Sequence, residues 1–256
     1  MGLIVALSVW LVSRSRPEDH SWCNEQERKL IHGDQGKPAS SDNSDVGKPP
    51  IKEMAASWNI WLMCLAQWFT NVGWLFLVTY APKYFEDVHH VPTELRGAMV
   101  AIPPLVGWGG MLVGGFVTDW MGKRYGVRWG RALPISLSRF VAMAAYLVCL
   151  FNLSPWLAVA MFSIVSFATN VGTPAMWAFN QDIGGRHVAS VLGWGNMWGN
   201  LGATVTPPIL VWAIGPDQNW NAAFLTCAAA FLLSGLAGIG IDARKQILAN
   251  ESGANE

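Results

Sequence analysis

The sequence predicts an all-α membrane protein, and three observations carry that expectation. The 256 residues are 52% hydrophobic and only 13% charged, with a mean hydropathy of +0.29. Soluble domains average about 25% charged residues, so much of the usual water-facing surface is missing. The apolar residues also fall in blocks of about 20, the length of helix that crosses a hydrocarbon core of about 30 Å. The third observation is the placing of the 17 Lys and Arg, which collect in alternate connections between those blocks. Formal net charge is zero, and nothing in the charge balance points to a nucleic-acid partner.

Residues 1–13, MGLIVALSVWLVS, are apolar and precede Arg14 and Arg16, the reverse of the order in a signal peptide. Thirteen residues reach only about 20 Å as a helix, so the segment reads as the end of a longer transmembrane helix. Residues 14–57 turn polar and read as a cytoplasmic central loop, partly disordered. Asn24 with Glu27 three residues on is an N-cap signature for a short helix, whereas GDQGKPASSDNSDVGKPP has the composition of a flexible linker. Six spans follow at 58–80, 99–119, 133–153, 157–179, 189–212 and 221–241, and 242–256 form a cytoplasmic tail.

Pro103, Pro104, Pro174, Pro207 and Pro208 lie inside these spans, where neighbouring helices satisfy the freed carbonyls. Gly110 with Gly114 and Gly195 with Gly199 have the four-residue spacing of close helix contacts. Fourteen basic residues fall in the connections assigned to one side and only Lys83 and Arg96 on the other, which sets the linker, the basic 120–132 loop and the C-terminus in the cytoplasm. Arg139 alone lies within a span. It is expected either to snorkel to the interface, the favoured reading, or to face a cavity. Cys64, Cys149 and Cys227 lie within spans and Cys23 in the polar stretch, which suits packing rather than a disulfide framework or zinc site. The five histidines form no metal pattern, and His89 and His90 read as solvated.

The most specific motif is GFVTDWMGKR, from Gly115 to Arg124. Asp119 ends a helix whose C-terminus is already negative, so it calls for a partner such as Lys123 or Arg124. The motif resembles the loop signature of the major facilitator superfamily, in which Gly115, Asp119, Gly122, Lys123 and Arg124 would form a conformational-switch cluster bracing two half-transporters. Trp120 stands where the signature has its first basic residue, and a solvated basic turn is the simpler alternative. Four further stretches resemble the superfamily's anion:cation symporters, the group of galactonate, glucarate and hexuronate carriers. They are RPEDHSWCNEQERKLI, QWFTNVGWLFLVTYAPKYF, GKRYGVRWGRALP and PAMWAFNQD, with the run from Gly195 and Asn196 to Thr206, Pro207 and Pro208 after them.

This resemblance implies the six-helix C-terminal half of a major facilitator fold plus part of the preceding helix. It implies transport of an organic anion, a sugar acid such as hexuronate, galactonate or glucarate, by alternating access and with protons. The site residues it assigns are Gln67, Asn71, Trp177 and Asn196. Amides suit the hydroxyls of a sugar acid and an indole suits its edge. Interhelical hydrogen bonds for the Asn residues, and plain packing for Trp177, are the alternatives. Neither cofactor nor metal is implied. The setting is a plasma membrane, that of a bacterial inner membrane, with lipid around the helices. The carboxylate that binds the coupling proton and the buried cation that pairs with the substrate carboxylate lie mainly in the N-terminal half of such carriers, so the chain is expected to need that missing half as its partner. A half-size transporter, acting as a dimer or with a separately encoded N-terminal half, is the alternative. Without an intramembrane Asp, His or Ser constellation of catalytic spacing, an enzyme is not expected.

Overall fold

The computed structural model describes residues 7, 9, 23–27 and 49–247. It divides into two units, Met1–Gly47 and Lys48–Glu256. In the first, Asn24 and Glu27 form a reciprocal capping box. The Glu27 N–H donates to Asn24 Oδ1 at 2.8 Å, and the Asn24 N–H donates to Glu27 Oε2 at 3.0 Å. The expected helix end at 1–13, apart from helical Leu7 and Val9, and most of the expected linker lie outside the described residues.

The second unit is helical, with no strand among the described residues. Helix α1 (Ile51–Ala56) occupies the end of the stretch read as linker, because Met54 buries against Ile60 and Met63. Helix α2 (Trp58–Leu75) widens into a π-helical segment, Phe76–Tyr80, before α3 (Ala81–Asp87). The widening sits directly ahead of Pro82, which offers no N–H to the preceding turn. The buried Tyr146 hydroxyl donates to the Gly73 carbonyl oxygen there at 2.8 Å.

Helix α4 (Thr93–Val148) is two limbs joined at Gly126. Its φ of 78° and ψ of 171° are open to glycine and costly for other residues. A Cβ on Gly130 would overlap the backbone of Gly122, so the limbs fold back on one another. Helices α5 (Pro155–Gly184), α6 (Val188–Ile214) and α7 (Trp220–Ile239) complete the bundle. Proline at the start of α5 is pre-set for a first helical turn, and the Asn219 side chain caps α7 by accepting from the Ala222 N–H at 3.2 Å.

Among the described residues, four helical runs are long and apolar enough to cross a membrane, Trp58–Asp87, Thr93–Phe151, Pro155–Ile214 and Trp220–Ile239. The second and third, 59 and 60 residues long, far exceed one crossing and are interrupted at Gly126 and at Gly185–His187. Their outer faces expose large apolar side chains, Trp108, Leu112, Phe116 and Trp212 among them, as a lipid-facing surface must. Inside, Phe76, Tyr84, Tyr146, Phe162, Phe224 and Phe231 form an aromatic core. Phe76 meets Phe224 and Tyr146 edge-on, with ring centroids 5.5 and 5.7 Å apart.

Glycines set two close helix pairings. A side chain on Gly110 or Gly114 would overlap the backbone of Phe167 or Val171, which holds the first limb of α4 against α5. Added Cβ atoms on Gly199 and Gly202 would lie 2.7 Å from Gln67 Cγ and the Trp68 carbonyl oxygen, so α6 seats on α2.

A polar cavity between the helices as the candidate functional site

Polar residues at helical spacing give two of the spans a polar stripe. On α2 the stripe is Gln67, Thr70, Asn71 and Trp74, and on α5 it is Thr169, Asn170, Thr173, Trp177 and Asn180. With Asn196 of α6 and Arg139 of the second limb of α4, these residues line a half-open cavity of about 720 Å³, its mouth included. All four residues expected at a substrate site, Gln67, Asn71, Trp177 and Asn196, therefore line this one cavity. Leu192 and Met176 supply apolar lining.

The local bonding shows what each group keeps available. Gln67 Nε2 donates to Asn196 Oδ1 at 2.9 Å, which leaves Gln67 Oε1 as an acceptor and Asn196 Nδ2 as a donor. Asn71 Nδ2 donates to the Gly199 carbonyl oxygen at 2.7 Å, so the interhelical role weighed for Asn71 is realised. Both bonds depend on the close seating that Gly195 and Gly199 permit. On the facing wall, Asn170 and Thr173 donate to the carbonyls of Ser166 and Thr169 one turn back, and Trp177 stands 54% exposed at the mouth. Thr169 Oγ1 and Asn180 Oδ1 are buried with no hydrogen-bond partner among the described residues. Hydrogen-bonding groups of both kinds thus face a space with apolar edges, a lining suited to a small polyhydroxylated ligand.

Arg139 does not snorkel. It is 2% exposed and turned inward, donating from Nη1 to the Thr169 carbonyl oxygen at 2.9 Å. His89 also differs from its expected solvated state, since a ring nitrogen lies 3.1 Å from the Tyr84 hydroxyl. Burial, then the neighbouring His90, push its pKa down.

The switch motif looks different in detail from its sequence reading. Gly115 and Gly122 are half-buried, and Asp119, Lys123 and Arg124 are exposed without an ion pair among the described residues. The engaged cations of the 120–132 loop are two others. Arg131 Nε donates to Asp182 Oδ2 at 2.8 Å, and Arg128 Nε lies 3.8 Å from Asp242 Oδ2. Asp242 further accepts from Arg244 Nη2 at 2.7 Å and Nε at 2.9 Å. Hydrogen bonding to Arg244, opposed in part by burial, holds its carboxyl down at about 2. Asn59 binds both backbone groups of Asp242 at 2.8 Å, fastening the start of α2 to the chain beyond α7. Sequence reasoning missed this cluster, although its charges beside helix ends were visible. Among the described residues no group of three or more His, Cys, Asp or Glu could hold a metal ion.

The model of the Major Facilitator Superfamily matches residues 1–207. The chain belongs to the major facilitator superfamily. As a major facilitator chain it is a multi-pass membrane protein, and the family is one of transporters, not enzymes. It is 23% identical over 234 residues to the "Probable galactarate/D-glucarate transporter GudP" of Escherichia coli K12, covering 88% of this chain and 51% of that one. To the protein of the same name from Bacillus subtilis 168 it is 25% identical over 249 residues, covering 93% and 54%. A human relative, "Sodium-dependent phosphate transport protein 4", is 22% identical over 241 residues, covering 91% and 56%. The chain spans about half the length of these relatives. The resemblance to a sugar-acid group of the superfamily, drawn above from motifs, agrees with the names of the bacterial relatives.

Proposed function

We propose that this chain forms one wall of the pathway of a major facilitator carrier for organic anions of the sugar-acid class. Gln67 and Asn196 would bind hydroxyls, Trp177 would cover the ligand at the mouth, and Asn71 would hold α6 in register. The observation that supports this reading is the single cavity that gathers these four residues with Thr169 and Arg139. Two bacterial relatives carry galactarate and D-glucarate in their names.

A second helical bundle, the N-terminal half of the same carrier, would close the open side and supply the proton-binding group. No Asp or Glu lines the cavity among the described residues, so proton coupling depends on that second bundle. Alternating access would rock the bundles about the cavity. The exposed cluster of Asp119, Lys123 and Arg124 would brace one of the two states. The basic 120–132 loop and the C-terminus would face the cytoplasm by the bias of Lys and Arg.

The test is isothermal titration of the 256-residue chain in lipid nanodiscs with galactarate, D-glucarate and L-galactonate. Saturable binding of at least one is expected, weakened about ten-fold in Asn196→Ala by loss of a hydrogen-bonding pair. A chain that melts cooperatively yet binds none of the three refutes the reading.

A further inference from the structure

Arg139 is a buried cation without an anion. It is 2% exposed and lines the cavity, and it takes part in no ion pair among the described residues. Its guanidinium bonds through Nη1 alone, to the Thr169 carbonyl oxygen at 2.9 Å and the Ser138 hydroxyl oxygen at 3.4 Å. Among the described residues, Nε is buried with no acceptor and the nearby Thr169 Oγ1 is also without a partner. A guanidinium keeps its charge in a protein interior, and a buried charge balanced only by carbonyl and hydroxyl dipoles is a costly arrangement. The fold also makes room for it. A side chain on Gly172 of α5 would overlap Ser138 Oγ and lie 3.3 Å from Arg139 Nη1, so the missing Cβ opens the way between α4 and α5 into the cavity.

We infer that Arg139 is the carboxylate-binding residue of this cavity and sets its preference for acids over neutral polyols. The inference rests on the proposed sugar-acid function. The edge of the fork carrying Nε and Nη2 has no acceptor among the described residues, and side-on pairing with a carboxylate uses two such parallel N–H groups. To present that edge the guanidinium turns away from Ser138, its longest and weakest bond. Gln67 Oε1 and Asn196 Nδ2, on other helices of the same cavity, are left for the hydroxyls of the bound chain.

The experiment compares galactonate and galactarate with galactitol, the uncharged polyol, on the full chain in nanodiscs by isothermal titration. Arg139→Gln should weaken binding of the acids by roughly 10- to 100-fold, the weight of a charge-assisted hydrogen bond, with galactitol changed less than about two-fold. Arg139→Lys, which keeps the charge and loses the fork, should fall between. Acid binding that is unaltered in Arg139→Gln overturns the inference and leaves the sugar-acid reading standing. A wild-type chain that binds no acid overturns both. Should Arg139→Gln fail to fold, phenylglyoxal labelling of the wild-type chain, mapped by mass spectrometry, decides the matter. Protection of Arg139 by galactonate and not by galactitol supports the assignment, and labelling unaffected by galactonate overturns it.

Discussion

Replacing Gly202 by alanine would put a methyl group where α6 already touches the backbone of α2. The added Cβ would lie 2.7 Å from the Trp68 carbonyl oxygen and 3.0 Å from its Cα, where even tight Cβ contacts begin at 3.0–3.4 Å. The groups in the way are mainly backbone, so no rotamer change relieves them, and the helices must part by several tenths of an ångström. Overpacking of this kind costs about 1–3 kcal/mol. A clash with backbone belongs to the upper part of that range, about 2–3 kcal/mol, and alanine returns about 1 kcal/mol of helix propensity, for a net loss of about 1–2 kcal/mol. At about 2–4 °C per kcal/mol for a chain of this size, the melting temperature should drop by about 2–8 °C. Gly193, on the same helix, has nothing within 4 Å of its added Cβ, so Gly193→Ala should melt no lower than wild type. A thiol-reactive dye reads both, because Cys64, Cys149 and Cys227 are buried until the bundle opens. Helix parting should also strain the 2.9 Å bond between Gln67 and Asn196 six residues away. A folded Gly202→Ala chain that melts at or above wild type would refute the backbone-contact reasoning.

Tyr146→Phe removes the only side-chain donor to the Gly73 carbonyl oxygen among the described residues. That oxygen keeps the backbone N–H of Phe76, so losing the hydroxyl's bond should cost about 1 kcal/mol, measured as a lower melting temperature in the same assay. Asp182→Asn should lower stability by about 1 kcal/mol, because the partly exposed Arg131 loses its carboxylate partner. Leucine at 182 combined with methionine at 131 should be less harmful than either change alone, as a double-mutant cycle in the melting assay would show. Hydrogen bonding to Arg244 holds the Asp242 carboxyl down to about 2 from the ordinary 3.8, so its ion pairs stabilise the fold above pH 4 and that contribution fades as pH falls toward 2. The melting difference between wild type and Asp242→Asn should therefore shrink between pH 5 and pH 2.5.

The helical membrane architecture was legible because a helix that crosses lipid needs about 20 apolar residues whatever its neighbours are. The capping box at Asn24 and Glu27 was legible for a similar reason, both partners lying within one turn. Glycine spacing correctly marked Gly110 with Gly114 and Gly195 with Gly199 as contact faces, since only the lack of a side chain allows such approach. Arg139 was misread because its depth in a span is visible in one dimension, whereas the gap at Gly172 that draws it inward belongs to another helix. The polar stripe from Thr169 to Asn180 was open to a reading by helical period, its members recurring at three- and four-residue intervals. The pairing of Arg131 with Asp182 depends on which helices meet, and short-range pattern carries no information on that.

Glycine contacts divide the walls of the cavity into two rigid units. The first limb of α4 travels with α5, bringing Thr169, Thr173 and Trp177, while α2 travels with α6, bringing Gln67, Asn71 and Asn196. Within each unit the backbones already touch, so neither can be compressed and neither yields without losing its packing. The two pairs are pinned to each other through the aromatic core, where Phe76 meets Phe162 and the Tyr146 hydroxyl holds the Gly73 carbonyl oxygen. The cavity is framed by two clasped jaws riveted at that core, and its shape is fixed by where the rivets sit.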